Sequence, residues 1–157
     1  MSELKSYDDT QEPDEDSYET PPELYARLCM NYRINPQLDA AARSHNRLCL
    51  DYLENALYQE WLARGSKVDV WCNPPHSLNE EFVRRADHQH KKYNINIMMI
   101  IPTNCQSAKF WHEIIEDEIK IKVENHPILS RPRFLKNHRP TKDSSRNAYR
   151  VIIWRRR

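Results

Sequence analysis

A single glycine, Gly65, stands in the whole chain of 157 residues. That scarcity removes classes of activity at once. Phosphate cradles of the P-loop type and dinucleotide fingerprints need several glycines, because glycine alone brings the backbone close to a phosphate at positive φ without a steric cost. Loops that need positive φ here are expected to use Asn or Asp. Cysteine is sparse too. Cys29, Cys49, Cys72 and Cys105 stand singly in apolar or helical contexts, a spacing that reads as reduced core thiols of a cytosolic protein and not as a disulfide framework. No apolar run approaches the ~18 residues that span a bilayer, and none follows Met1 in the manner of a secretory leader. The expectation is a soluble, untargeted cytoplasmic protein. Apolar residues make up 39% of the chain and charged residues 30%, so one domain with a modest core is expected.

The net charge of +1 conceals a strong asymmetry. Residues 1–17 are acidic, polar and aperiodic, and are expected to form a disordered arm. The C-terminal segment instead carries Arg131, Arg133, Lys136, Arg139, Lys142, Arg146, Arg150 and a terminal Arg155-Arg156-Arg157. Basic density of this kind is the electrostatic footprint of a polyanion binder. The plainer alternative is a solubilising tail with no specific partner.

From residue 18 onward helical and strand patterns alternate. Thr20-Pro21-Pro22-Glu23 predicts a helix start with Thr20 as N-cap, the helix ending before Asn35-Pro36. A strand is expected over 34–41. Residues 43–62 follow as an irregular or helical stretch that offers Leu48, Leu50, Leu53, Leu57 and Trp61 to the core. Strand 67–72, a helix over 79–92 and the apolar run 94–102 come next, then a helix over 107–117, an alternating strand at 119–124, a short strand around Phe134 and a final strand over 149–154. Such alternation predicts an α/β domain with helices on both faces of a mostly parallel sheet. Ligands bind beyond the carboxyl ends of strands in sheets of this type, and Asp39, Asn73 and residues 102–104 all fall there.

The stretch Val70-Trp71-Cys72-Asn73-Pro74-Pro75-His76 carries the chemistry. Prolines donate no backbone N–H, but their carbonyls still accept hydrogen bonds. The Asn73 side chain adds a carbonyl at the same turn, so two acceptors can converge on one –NH2 group, with the His76 ring beside them. A strand ending in a plain Pro-Pro turn is the bland alternative. A zinc site drawn from Cys72, His76, His88 and His90 fits no common ligand spacing, so no metal is expected and the helix histidines read as solvated surface residues.

With those positions in place, residues 18–154 resemble the short phage-type, Dam-like DNA adenine-N6 methyltransferases. The resemblance rests on the order of Glu19-Thr20-Pro21-Pro22-Glu23-Leu24-Tyr25, Leu38-Asp39-Ala40-Ala41-Ala42, Asn55-Ala56-Leu57 with Trp61, the Asn73-Pro74-Pro75 strand, Met98-Met99-Ile100-Ile101-Pro102, Lys109-Phe110-Trp111-His112 and Arg131-Pro132-Arg133-Phe134-Leu135. It implies a Rossmann-like fold with S-adenosylmethionine as methyl donor, DNA adenine as acceptor, and a seven-stranded sheet whose final strand runs antiparallel beside strand 119–124. It further implies that Thr20, Pro21, Asp39, Ala40, Ala41 and Asn55 lie at the cofactor, and that Asn73, Pro74 and Pro75 grip the target amine. His76 would stack on the flipped base, where such proteins usually carry Tyr, Phe or Trp. Arg131, Arg133, Lys136, Arg139, Lys142 and Arg146 are the expected DNA contacts. Two other readings remain beside it: methylation of another planar amine, in RNA or a protein glutamine, and a catalytically silent DNA-binding protein that keeps the fold.

Overall fold

The computed structural model describes residues 18–117, 123–136, 138–140 and 147–157. The acidic arm, most of the strand expected at 119–124, Lys142 and Arg146 therefore lie outside the described residues. Helix α1 (Pro22–Tyr32) opens with a proline, whose fixed φ suits a first turn, and buries Leu24 and Leu28. Its N-cap is Pro21, and no side chain caps it. The N-cap role expected of Thr20 is thus corrected, because its hydroxyl is engaged elsewhere. The helix closes at Arg33 with φ 54°, just before Asn35-Pro36.

The strands that follow are β1 (Pro36–Asp39), β2 (Asp51–Tyr52), β3 (Asp69–Cys72), β4 (Ile97–Pro102), β5 (Glu124–Pro127), β6 (Leu135–Lys136), β7 (Arg139–Pro140) and β8 (Tyr149–Trp154), with helix α2 (Asn79–Tyr93) between β3 and β4. The main sheet has six strands in the order β2-β1-β3-β4-β8-β5, and β6 with β7 forms a separate hairpin. Strands β2, β1, β3 and β4 pair in parallel, while β8 runs antiparallel between β4 and β5. The main sheet has six strands among the described residues, against seven expected. The strand beside β8 is observed at 124–127, and the antiparallel final strand stands where it was anticipated.

Every residue of β4 is buried, and its two faces feed two cores. Ile97, Met99 and Ile101 pack with Val70, Cys72, Ile152, Trp154, the α2 residues Phe82, Val83 and Ala86, and Trp111. Met98 and Ile100 pack on the other side with Trp71, Val151, Ile153 and the α1 residues Leu24 and Leu28. The two-residue period of a strand produces this division, and a strand buried on both faces needs the uninterrupted apolar run seen in the sequence.

Other expectations are revised. The helix expected over 107–117 is present over 109–115, its last turn the wide one at Trp111–Ile115, closed where the Glu116 amide donates to the Trp111 carbonyl at 3.1 Å, and a 3-10 turn at Thr103–Ser107 precedes it. Leu50, offered to the core, is 67% exposed and lies on an irregular segment. Positive φ falls on Gly65, Arg33, Arg64, Asn94 and His138. Among the described residues only Asn94 meets the expectation that Asn or Asp would take these positions. The remaining non-glycine sites each cost about 1–2 kcal/mol in backbone energy.

Candidate active site

The carboxyl ends of β1, β3 and β4 lie along one edge of the sheet. Because β8 is antiparallel, its first residue joins them: Tyr149 pairs with Pro102. At the end of β1, Asp39 is only 3% exposed. Its carboxylate accepts hydrogen bonds from the amides of Ala41 at 3.2 Å and Leu48 at 3.1 Å, closing the loop that follows. Burial pushes its pKa up to about 6, and the two backbone hydrogen bonds oppose that rise without cancelling it. The amides of Ala40 and Ala42 donate to the carbonyls of Trp71 at 2.9 Å and Leu53 at 3.2 Å, fixing the loop against β3 and the segment after β2; Ala40 and Ala42 are buried and Ala41 is half-buried. The Leu53 amide donates to the Asp39 carbonyl at 2.9 Å, so the segment leading to exposed Asn55 begins beside the same loop.

Beyond β3, Pro75 leads into a 3-10 turn at His76–Leu78, and its carbonyl accepts from the Leu78 amide at 2.9 Å. No backbone amide among the described residues donates to the carbonyl of Pro74. The Nδ2 of Asn73 donates to the Thr20 hydroxyl at 2.9 Å and to the Tyr18 carbonyl at 3.3 Å. Residues 18–20 thus form a strap across the motif. The strap is itself held: Glu19 and Leu135 exchange backbone hydrogen bonds, both 2.8 Å, and the buried Glu19 carboxylate meets the His138 amide at 3.2 Å and its ring Nδ1 at 3.3 Å.

His76 sits in an aromatic cluster. Tyr18 stacks on it at 5.4 Å and 24°, Phe134 meets it edge-on at 6.5 Å, and the Tyr149 hydroxyl lies 2.6 Å from its Nε2. A cavity of about 420 Å³ opens beside the ring, lined among others by His76, Ser77, Pro102, Asn104 and Asn147, but not by Asn73 or Pro74. A second, of about 410 Å³, lies between α1 and the approach to the hairpin and is lined by Arg27, Arg131 and Arg133, with Glu23 at its edge. Arg131, Arg133 and Arg139 are exposed. Lys136 lies half-buried, its Nζ 4.9 Å from the Tyr18 ring centroid.

The sequence model of the family described as DNA N-6-adenine-methyltransferase (Dam) matches residues 7–157 of this chain. The chain belongs to that family. It is 34% identical over 111 residues to the DNA N-6-adenine-methyltransferase of Escherichia phage T1, a match covering 68% of this chain and 44% of the relative. It is 24% identical over 147 residues to the protein of the same name from Haemophilus phage HP1 (strain HP1c1), covering 92% and 80%. The chain therefore spans less than half the length of the T1 relative. No solved structure matches it.

In this Dam-family chain the folded structure brings Asp39, Ala40, Ala41, Asn73, Pro74, Pro75 and His76 to one edge, as the sequence led one to expect. Thr20 joins them through Asn73, while Pro21 is the N-cap of α1. Tyr18, Phe134, Tyr149 and Arg27 were not foreseen. Tyr149 alone left a signal, since the first residue of an antiparallel final strand must lie at the carboxyl edge of its parallel neighbours. Among the described residues no cluster of three His, Cys, Asp or Glu forms that could hold a metal, and no helix is long and apolar enough to cross a membrane. Cys72 is fully buried, and burial pushes its thiol well above the ordinary range, which disfavours the thiolate. His88 is exposed, but His90 is not the solvated residue expected: it is 2% exposed, with Nδ1 2.8 Å from the Ile95 carbonyl.

Proposed function

We propose that this chain methylates the exocyclic N6 amine of adenine in DNA at particular sequences, with S-adenosylmethionine as donor, on a Rossmann-like methyltransferase fold. The observation that carries the reading is the Asn-Pro-Pro turn at the end of β3, held by the Ala40–Trp71 hydrogen bond against a β1 loop organised by a buried carboxylate, in a chain of this family. The residues present suit the donor. Half-buried Ala41 follows the acidic strand end at Asp39, and exposed Asn55 offers an amide for a heterocycle. When bound, S-adenosylmethionine supplies an electrophilic methyl on a positively charged sulfur.

The chain's own groups would then do the rest. An adenine amine is a poor nucleophile because its lone pair is delocalised into the ring. The Asn73 side-chain carbonyl and the Pro74 carbonyl accept its two hydrogens, favour the pyramidal nitrogen and direct its lone pair at the methyl. Pro74 is the available acceptor of the pair, since the carbonyl of Pro75 is occupied by its own turn. After transfer, the surplus proton leaves the nitrogen for water. An amine held in a base pair cannot reach a strand-end turn, so the base must be extruded from the duplex. His76, backed by Tyr18, provides the ring on which it stacks. Exposed Arg131, Arg133 and Arg139, with Arg27 and Lys136, would contact phosphates, and the arginine forks suit base edges as well. Lys142 and Arg146 are assigned to the same surface from the sequence alone.

The test is to supply isotopically labelled S-adenosylmethionine and duplex DNA, then digest the DNA and identify the labelled nucleoside. N6-methyladenine at recurring sequence sites is the expected product. Cofactor binding without any modified base, or no cofactor binding at all, would favour the silent DNA-binding alternative.

A further inference from the structure

The strap at residues 18–20 has a consequence for the chemistry of Asn73. An asparagine amide can face either way, and Thr20 does not decide the matter, because a hydroxyl both donates and accepts. The Tyr18 carbonyl does decide it. A carbonyl can only accept, so the group 3.3 Å from it must be the NH2 end of Asn73. The Thr20 hydroxyl, 2.9 Å from the same nitrogen, takes the second proton. With both Nδ2 protons committed to the strap, Oδ1 is turned the other way and stays an acceptor.

We infer that Thr20 is a positioning residue, whose hydroxyl fixes the amide of Asn73 so that its carbonyl, and not its NH2, meets the target amine. This rests on the reading that Asn73 holds that amine. A flipped Asn73 would present two donors to a group that also donates, an arrangement that repels where it should bind. Thr20 is well placed for the task. It is 5% exposed, follows a residue whose backbone is paired in both directions with Leu135, and precedes Pro21, the N-cap of α1. The strap therefore cannot shift without moving the β6–β7 hairpin, which carries Lys136 and Arg139, so the amide is referenced to the surface expected to hold DNA. The family resemblance implies a place for Thr20 at the cofactor, and the two roles predict different kinetics.

The test compares Thr20→Val and Thr20→Ser with wild type under saturating DNA. Thr20→Val preserves shape and removes the hydroxyl. A positioning role predicts that kcat falls about tenfold, the usual scale for removing one buried hydrogen bond, with the KM for S-adenosylmethionine unchanged and Thr20→Ser restoring the rate. A change confined to the cofactor KM, or Thr20→Val turning over like wild type, would overturn the inference. Should Thr20→Val not fold, wild-type NMR decides. Cross-peaks from the Asn73 side-chain NH2 to the Thr20 side chain are expected, and their absence overturns the assignment. Because that readout needs no turnover, it separates failure of the strap's role from failure of the methylation reading, which would appear as an inactive wild type.

Discussion

At the scale of single residues, Asp39 carries two opposed effects. Its carboxylate organises the loop after β1, yet it is buried and ionises reluctantly, with a pKa near 6 against an ordinary 3.8. A folded-state pKa raised above the unfolded one means that the folded protein holds this proton more tightly. Stability from this group is therefore highest below about pH 4, declines as pH rises through the interval, and is fully lost above about 6. The cost of the charge at neutral pH is about 3 kcal/mol. Asp39→Asn removes that cost but weakens one of two backbone hydrogen bonds, worth about 1 kcal/mol. It is expected to raise stability by about 1–2 kcal/mol near pH 8 and to lose that advantage near pH 5, read from urea unfolding at both. Cofactor affinity should fall in the same variant. A variant that is less stable than wild type at pH 8 would show that the loop hydrogen bonds outweigh the buried charge.

His76 has a different balance. The ring is stacked on Tyr18 and bonded to the Tyr149 hydroxyl, so it is fixed before any base arrives. His76→Ala is expected to weaken DNA-dependent turnover by about 1–3 kcal/mol, the range for base–aromatic stacking. His76→Tyr would have to displace the Tyr149 hydroxyl from its position 2.6 Å away, so it should cost stability in a thermal melt even where it stacks well. Unchanged turnover in His76→Ala would remove the ring from substrate binding. These partners could not be read from the sequence, because Tyr18 and Tyr149 stand far along the chain on either side of His76 and only the fold brings them together.

At the scale of elements, legibility followed hydrophobic pattern. Strands β3, β4 and β8 and helix α2 were foreseen within a few residues because their apolar runs and turn residues have one reading. The wide turn at Trp111–Ile115 was not, since Phe110, Trp111, Ile114 and Ile115 suit an α-helix face equally well. Nor was the strap, because a bridge of backbone amides from Glu19 to Leu135 leaves no mark in side-chain periodicity. The hairpin and the cleft beside it bring Arg27, Arg131, Arg133 and Arg139 to the surface through two separate segments. Replacing Arg131 or Arg133 with Ala should make DNA binding less dependent on salt. The logarithmic slope should fall by about 0.9 for each phosphate that the arginine neutralises, measured as affinity over a series of salt concentrations. A slope that does not change would assign that arginine to a base edge or to no role in binding. Arg27→Ala extends the same measurement to α1.

At the scale of the molecule, the sheet order explains why such scattered segments act together. Strands β1, β3 and β4 point their carboxyl ends at one edge, and β8 returns to that edge from the opposite direction. A mostly parallel sheet was legible from the alternation of patterns; the number of strands and the separate hairpin were not, because two-residue strands are specified by tertiary pairing rather than by local sequence. The proposed chemistry depends on the Asn-Pro-Pro turn at the centre of that edge. Its most direct test is methyl transfer to duplex DNA by wild type and Asn73→Ala, with S-adenosylmethionine binding measured calorimetrically on both. Wild type should form N6-methyladenine, and Asn73→Ala should lose turnover by at least about a hundredfold, the scale of removing a transition-state acceptor, while binding the cofactor nearly as well. Equal turnover in the two proteins would contradict the assignment of Asn73 to the target amine.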